Sequence, residues 1–408
     1  MAMSNYPIFS VLGIEIEYML VDKESLTIQP KSDLIIKHLA GAYVNEAILG
    51  EIAISNEFVM HVIELKNNGP KPPDEQIANQ FQQTIMQLQP ILDEYQLLLL
   101  PTAAHPWMDP LVETKRWPHG NKAIYEQFDK IFDCRGHGWA NLQSMHVNMP
   151  FSNDAEFNQL HNSIRILLPL LPALAASSPF LSGKRTPFLD SRLDFYGKNQ
   201  QKIPSITGDI IPDFMSSRAQ YEAEILNPMY QDIKEYDPKS LLQHEWLNSR
   251  AAMPKFEYNA IEIRIIDSQE CVTADIAIAK AVHAILKNWY DNNFKIPFEK
   301  IYPTKNLRAI FDKAIKYGLN VSIDDPKLLE QFGIIKKEAM TIRDLWTFLI
   351  EQISHNLDHK SQLALEHILK NGSLSERIIN ASCNDFSKDK LKFIYRQLGE
   401  CLVQNQQF

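Results

Sequence analysis

The chain has 408 residues, 41 Lys and Arg against 50 Asp and Glu, and a net charge of −9. That balance excludes a general binder of nucleic-acid backbones, although a local basic pocket for one nucleotide stays compatible with it. An apolar share of 45% with 22% charged residues excludes disordered and fibrous classes, and this length buries a core without staples.

The four cysteines, Cys134, Cys271, Cys383 and Cys401, stand far apart and form no CxxC. A zinc ribbon or dithiol pair is therefore not expected, and reduced thiols in a cytoplasmic protein are. The opening MAMSNYPIFSVLG lacks the basic and apolar regions of a secretory signal. Ile164 to Phe180 is the most apolar stretch, but Pro169, Pro172 and Pro179 break it, which favours buried segments over a membrane span. GxGxxG, HExxH, GxSxG and the Walker phosphate loop are absent.

In chain order, VLGIEIEYMLV (11–21) reads as a strand and 31–40 as a short helix. AILGEIAI and EFVMHVIEL, between Ala47 and Leu65, are strand-like. Gln76 to Tyr95 has helical spacing, with Pro90 expected to kink or interrupt it. QLLLLP (96–101) has buried-strand length, 107–138 is loop-rich, and LQSMHVNMP (142–150) is a second polar-faced strand. Residues 157–174 read as helical, 177–188 as a loop, and 189–240 as a weakly periodic excursion beside an active site. AIEIRIID (260–267) is a third such strand, 273–291 is a helix, and the pattern beyond Asn306 is almost wholly helical. The coarse division is an α+β body (1–295) and a helical C-terminal part (296–408) packed on the same body.

Three of these strands carry paired polar residues two apart, which project from one face. They are Glu15 with Glu17, His146 with Asn148, and Glu262 with Arg264. Taken singly, each pair reads equally well as a solvent-facing strand side or, for Glu262 and Arg264, a surface ion pair. In one sheet they would form a face of acids, an imidazole and a guanidinium suited to a metal–polyphosphate site. Glu57 and Glu64 add two acids at odd separation, so either a bulge lies between them or only one points inward. Glu64 is favoured as a ligand, because an unpaired carboxylate at the edge of an apolar run is costly.

These segments resemble the bacterial glutamate–cysteine ligase type 2, or carboxylate–amine ligase, family. The resemblance rests on GIEIEYMLVD (13–22), NEFVMHVIELKN (56–67), TAAHP (102–106), LQSMHVNMPF (142–151), LPALAASSPFLSGKRT (171–186), DSRLDFY (190–196) and AIEIRIID (260–267), with KNLRAIFDKAIKYGLN (305–320) beyond them. It implies an antiparallel, glutamine-synthetase-like catalytic sheet flanked by helices. It further implies ATP and Mg²⁺ (or Mn²⁺) as cofactors, and formation of a γ-glutamyl amide from glutamate and an amine such as cysteine through an acyl phosphate, a step toward glutathione. By the motif match, Glu15, Glu17, Glu57, Glu64 and Glu262 take metal-ligand places. His146 takes a metal or nucleotide-phosphate place, Asn148 a nucleotide-binding place and Arg264 a phosphate-contacting place, His146 and Arg264 also counting as catalytic. Arg192 matches an Arg that approaches the transferred phosphate or the substrate carboxylate. The resemblance leaves a homodimer open and implies neither nucleic-acid nor membrane partners.

The chain departs from the family pattern at Ile16, where many members have a third Glu, at Asn148, where many have a second His, and at Thr186-Pro187, where Thr-Gly is usual. These changes leave the phosphoryl machinery intact and loosen the expectation of cysteine as the amine. Two other readings use the same residues: a guanidino-kinase-type phosphotransferase and a catalytically inactive nucleotide-binding homologue.

Overall fold

The structure, a computed structural model, describes residues 6–292, 301–335 and 337–408. GIEIEYMLVD forms strand β1 (Gly13–Asp22). Its apolar and acidic residues alternate only as far as Glu17, because the two halves of the strand have different neighbours. Ile14, Ile16, Tyr18 and Leu20 enter the larger apolar core. On the other face Glu15 and Glu17 give way to Met19 and Val21, which join a second apolar cluster.

Seven further strands complete the sheet: β2 (Glu46–Leu49), β3 (Ile52–Asn56), β4 (Val62–Asn67), β5 (Leu97–Leu100), β6 (Ser144–Pro150) and, after the small hairpin of β7 (Phe180–Leu181) and β8 (Lys184–Arg185), β9 (Ala252–Lys255) and β10 (Ala260–Asp267). The order is β2-β3-β4-β1-β6-β10-β9, all antiparallel, with β5 pairing β1 beyond the end of β6. The fold is therefore α+β, a mostly antiparallel sheet flanked by helices. On one face it packs against the helices Gln76–Glu94, Asp154–Leu167 and Val272–Asp291. On the other, the helices Leu374–Ser382 and Lys388–Gln404 cover Met19, Val21, Val62 and Leu100. The expected division at 295/296 falls outside the described residues, but the helix Thr304–Tyr317 rests on the buried 168–175 segment.

EFVMHVIEL is not one strand: β3 ends at Asn56 and β4 begins at Val62, with the chain between them looping over the sheet. The helix Gln76–Glu94 runs unbroken through Pro90. The proline leaves the Met86 carbonyl without its helical donor, and Met86 lies on an exposed face where water can serve it. The loop-rich 107–138 segment contains an eleven-residue helix, Lys122–Phe132, whose Ile124, Phe128 and Ile131 do follow helical spacing. Strand β9 is absent from the sequence reading, since four residues containing Pro254 have too little pattern. As an edge strand it tolerates that proline. Pro169 and Pro172 sit at first-turn positions of short helices, and Pro179 lies just before β7. Among the described residues no helix is long and apolar enough to cross a membrane.

The C-terminal helices and the sheet share one core, and Trp346 shows how. On the helix Ile342–Ile353 it is fully buried and its Nε1 donates to the Leu170 carbonyl at 3.1 Å. Trp346→Ala is expected to cost about 3–5 kcal/mol, read as a lower midpoint in one cooperative urea transition.

Candidate active site

Register builds the polar face. Glu15 lies opposite His146 and Lys66, Glu17 opposite Glu64, Glu64 opposite Ser55, and Glu262 opposite Asn148. All of these side chains project away from the core that holds Ile14, Ile16, Met145, Val147, Ile261 and Ile263. The face is tightly connected. Asn148 Nδ2 donates to Glu15 Oε1 at 3.0 Å, and His146 Nδ1 lies 3.2 Å from Glu15 Oε2. The Ser144 backbone N–H donates to Glu17 Oε2 at 2.7 Å, and Ser55 Oγ donates to Glu64 Oε1 at 2.7 Å. Arg264 Nε meets Glu262 Oε1 at 3.0 Å. Lys66 Nζ bridges Glu64 and Glu46 at 3.2 and 3.0 Å, and Lys255 Nζ contacts Glu262.

Two sets of ligand atoms lie within 4.8 Å of one another: Glu15, His146 and Glu262, and Glu17, Glu64 and His146. His146 belongs to both. Burial pulls its imidazole down to about 4, so it is neutral near pH 7 with a lone pair to offer. Burial, and then Glu64, push the Glu17 carboxyl up to about 8. Glu64 is raised by burial and by Glu15, and Glu57 well above the usual carboxylate range by burial, Glu64 and Glu17. Glu15 behaves oppositely. Burial would raise it, but Lys255 and the His146 hydrogen bond outweigh that and hold it low. Oxygen-rich donors that repel one another in a low-dielectric pocket suit a hard divalent cation, and the imidazole suits Mn²⁺ as well as Mg²⁺.

The structure thus brings Glu15, Glu17, Glu64, His146, Asn148, Glu262 and Arg264 onto one surface. It also answers the parity question at Glu57. No bulge is involved: the strand stops, and the loop that follows returns the Glu57 carboxyl to within electrostatic reach of Glu64 and Glu17. Arg192 lies deeper than a residue on an open face. It is 2% exposed and pairs with the fully buried Asp267, and its Nη1 donates to the Arg264 carbonyl at 3.2 Å. Its Nη2 has no hydrogen-bond partner among the described residues.

Sequence reading missed Asp267, Lys66 and Lys255. Asp267 stands five positions after Glu262, which in a regular strand would place them on opposite faces. A bulge in β10 between Ile263 and Ile266 restores Asp267 to the polar side, opposite Ser144. Lys66 stands two residues after Glu64 and was detectable by parity; Lys255 lies on the unrecognised β9.

The fold is that of solved glutamate–cysteine ligases. The structure aligns with the Francisella tularensis glutamate–cysteine ligase solved in complex with AMP at a TM-score of 0.65 and 14% identity, over 97% of this chain and 90% of that one. It aligns with the Pasteurella multocida bifunctional glutathione synthetase at 0.63 and 13% identity, over 97% of this chain and 53% of that one. In sequence, an Archaeoglobus fulgidus protein described as uncharacterized is 31% identical over 97% of this chain and 99% of its own length. A Legionella pneumophila protein provisionally named glutamate–cysteine ligase 2-2 is 24% identical over 88% of this chain and 86% of its own. The profile of glutamate–cysteine ligase family 2 (GCS2) matches residues 11–396. The chain belongs to this family, and is an ATP-dependent carboxylate–amine ligase of the glutamate–cysteine ligase type.

The raised carboxyls have a measurable consequence. Between the ordinary carboxylate range and about pH 8, folded Glu17 keeps a proton that the unfolded chain has released. Without divalent cations, stability therefore falls as pH rises through that window. Mg²⁺ or Mn²⁺ should flatten the decline by replacing the proton. Melting temperatures across this range, with chelator and with metal, check both slopes, and parallel curves would show that Glu17 does not ligate the ion.

Proposed function

We propose that the chain transfers the γ-phosphoryl of ATP to the carboxylate of a small-molecule acid, with the side chain of glutamate as the leading candidate, and then joins it to an amine such as cysteine. A carboxylate oxygen bonds to the γ-phosphorus as the bond to the ADP oxygen breaks. The amine nitrogen then bonds to the acyl carbon, the carbon–oxygen bond to phosphate breaks, and the nitrogen gives up a proton. The observation that carries this reading is the single sheet face on which Glu15, Glu17, Glu64, Glu262 and neutral His146 lie against Lys66, Lys255 and Arg264, with Glu57 on the loop beside it.

Each residue has a part set by its contacts. Glu15 and Glu262, and Glu17 and Glu64, would hold divalent cations, with His146 within reach of both pairs and able to give its single lone pair to one of them, and with Glu57 beside the second pair. Such ions would supply the positive charge that lets one anion approach another. Arg264, anchored through Glu262 and the Asn248 carbonyl, would offer its fork to phosphate oxygens. Asn148 and His146 orient Glu15. Arg192, held by Asp267, supports the backbone of Arg264 from beneath. The helices over Met19 and Val21 close one end of the face with apolar side chains.

With ATP, Mg²⁺ and L-glutamate but no amine, hydroxylamine should trap a hydroxamate. A panel of other amino acids and dicarboxylates extends the test to the identity of the acid. A guanidino kinase would yield no hydroxamate and an inactive homologue no turnover; nucleotide binding without any hydroxamate across the panel would overturn the ligase mechanism.

Glu15→Gln, which removes ligand charge without volume, should abolish turnover while leaving the melting temperature near that of the wild type. Arg264→Lys, which loses the planar fork, should raise the barrier by roughly 2–4 kcal/mol, seen mainly in kcat.

A further inference from the structure

Building on the metal-site reading, we propose that Lys255 is the resident counter-ion of one half of the acidic face, and that it leaves this post for the phosphates of the incoming nucleotide. The two halves differ in how their charge is met. Lys255 Nζ sits against Glu262 Oε2 and lies 3.7 Å from Glu15 Oε1. These two glutamates, with His146, make up the first ligand set. Arg264 takes the other oxygen of Glu262. Two carboxylates there face two cations. In the second half Glu17, Glu57 and Glu64 are met by one lysine, Lys66, which also serves Glu46, and Arg192 lies within electrostatic reach of Glu17 alone.

A free divalent ion thus finds the carboxyl oxygens of the second half less fully paired with side-chain cations than those of the first, where Lys255 and Arg264 already occupy them. Glu15 and Glu262 become available as ligands when Lys255 turns away. Lys255 is built to turn. It lies on the edge strand β9, its side chain is 25% exposed, and its flexible stem carries a compact charge that can be redirected without moving the backbone. Arg264 is also tied to the Asn248 carbonyl and stays. A polyphosphate entering over the face offers Lys255 a stronger partner than a shared carboxylate. Its arrival therefore frees ligands for a second cation at the moment its own charge requires one. Metal loading is ordered, and the order is written in the placement of one lysine.

The test is Mn²⁺ binding to the full chain, followed by the spin resonance of the free ion, with and without a non-hydrolysable ATP analogue. Wild type should bind one ion without nucleotide and a further ion with it. Lys255→Gln should bind the further ion without nucleotide, about tenfold or more tightly than wild type does, and should bind the analogue about tenfold more weakly. Lys255→Arg keeps the charge and should retain the wild-type stoichiometry, and melting curves establish that each variant is folded. The proposal is overturned if wild type takes up both ions without nucleotide, if Lys255→Gln matches wild type, or if Lys255→Arg behaves like Lys255→Gln. Those outcomes leave the metal sites standing. If wild type binds no Mn²⁺ in either state, the metal-site reading falls, and this inference with it.

Discussion

Mutual repulsion among carboxylates on one sheet face is the constraint around which this molecule is organised. Glu17 and Glu64 are directly opposed across β1 and β4, and Glu15 and Glu57 stand close by. Cross-strand like charges disfavour pairing, so the strands must be held together by something else. The reverse face does this: Ile14, Ile16, Ile63, Leu65, Met145, Val147, Ile261 and Ile263 form a continuous apolar surface sealed by the long helices behind it. A deeply buried back permits a strained front. The strain is the useful part, because carboxyls that repel one another have most to gain from a cation.

The cations already present are unevenly distributed. Arg264 and Lys255 flank Glu262 on the β10–β9 side, while Lys66 stands alone on the β4 side. The face therefore has electrostatic polarity across its width. A ligase that must bring a polyphosphate, a carboxylate and an amine together gains from such polarity, since each charged reactant meets a different local field. The bulge in β10 adds depth. By returning Asp267 to the polar side it fixes Arg192 beneath Arg264, so one guanidinium braces the backbone of the other.

Alternation within β1, β6 and β10 was legible in the sequence because a strand with one dry face and one polar face must show a period of two. It was sufficient to group Glu15 with Glu17, His146 with Asn148, and Glu262 with Arg264, and the ordered motifs extended that grouping to a family. The same rule misled wherever the strand was irregular. Glu57 and Glu64 looked opposed because EFVMHVIEL reads as one strand, yet its first half is a loop shaped by tertiary contacts. His61 in that loop is fully buried, and its Nε2 is bonded to the Ala140 carbonyl at 2.8 Å, apart from both sets of ligand atoms.

What the sequence determined by itself was therefore the inventory of the face and the core behind it, both consequences of local periodicity. The tertiary structure alone decided the register that sets Glu15 against His146 and Glu17 against Glu64, since pairing partners far apart in the chain leave no mark on either segment. It also decided the covering of Met19 and Val21 by the C-terminal helices, which ends the polar face partway along β1. Lys255 and Asp267 entered the site through an edge strand too short to carry a pattern and a bulge that breaks one. In both cases the side chain's direction follows from hydrogen bonding to a neighbouring strand, which no run of consecutive residues encodes.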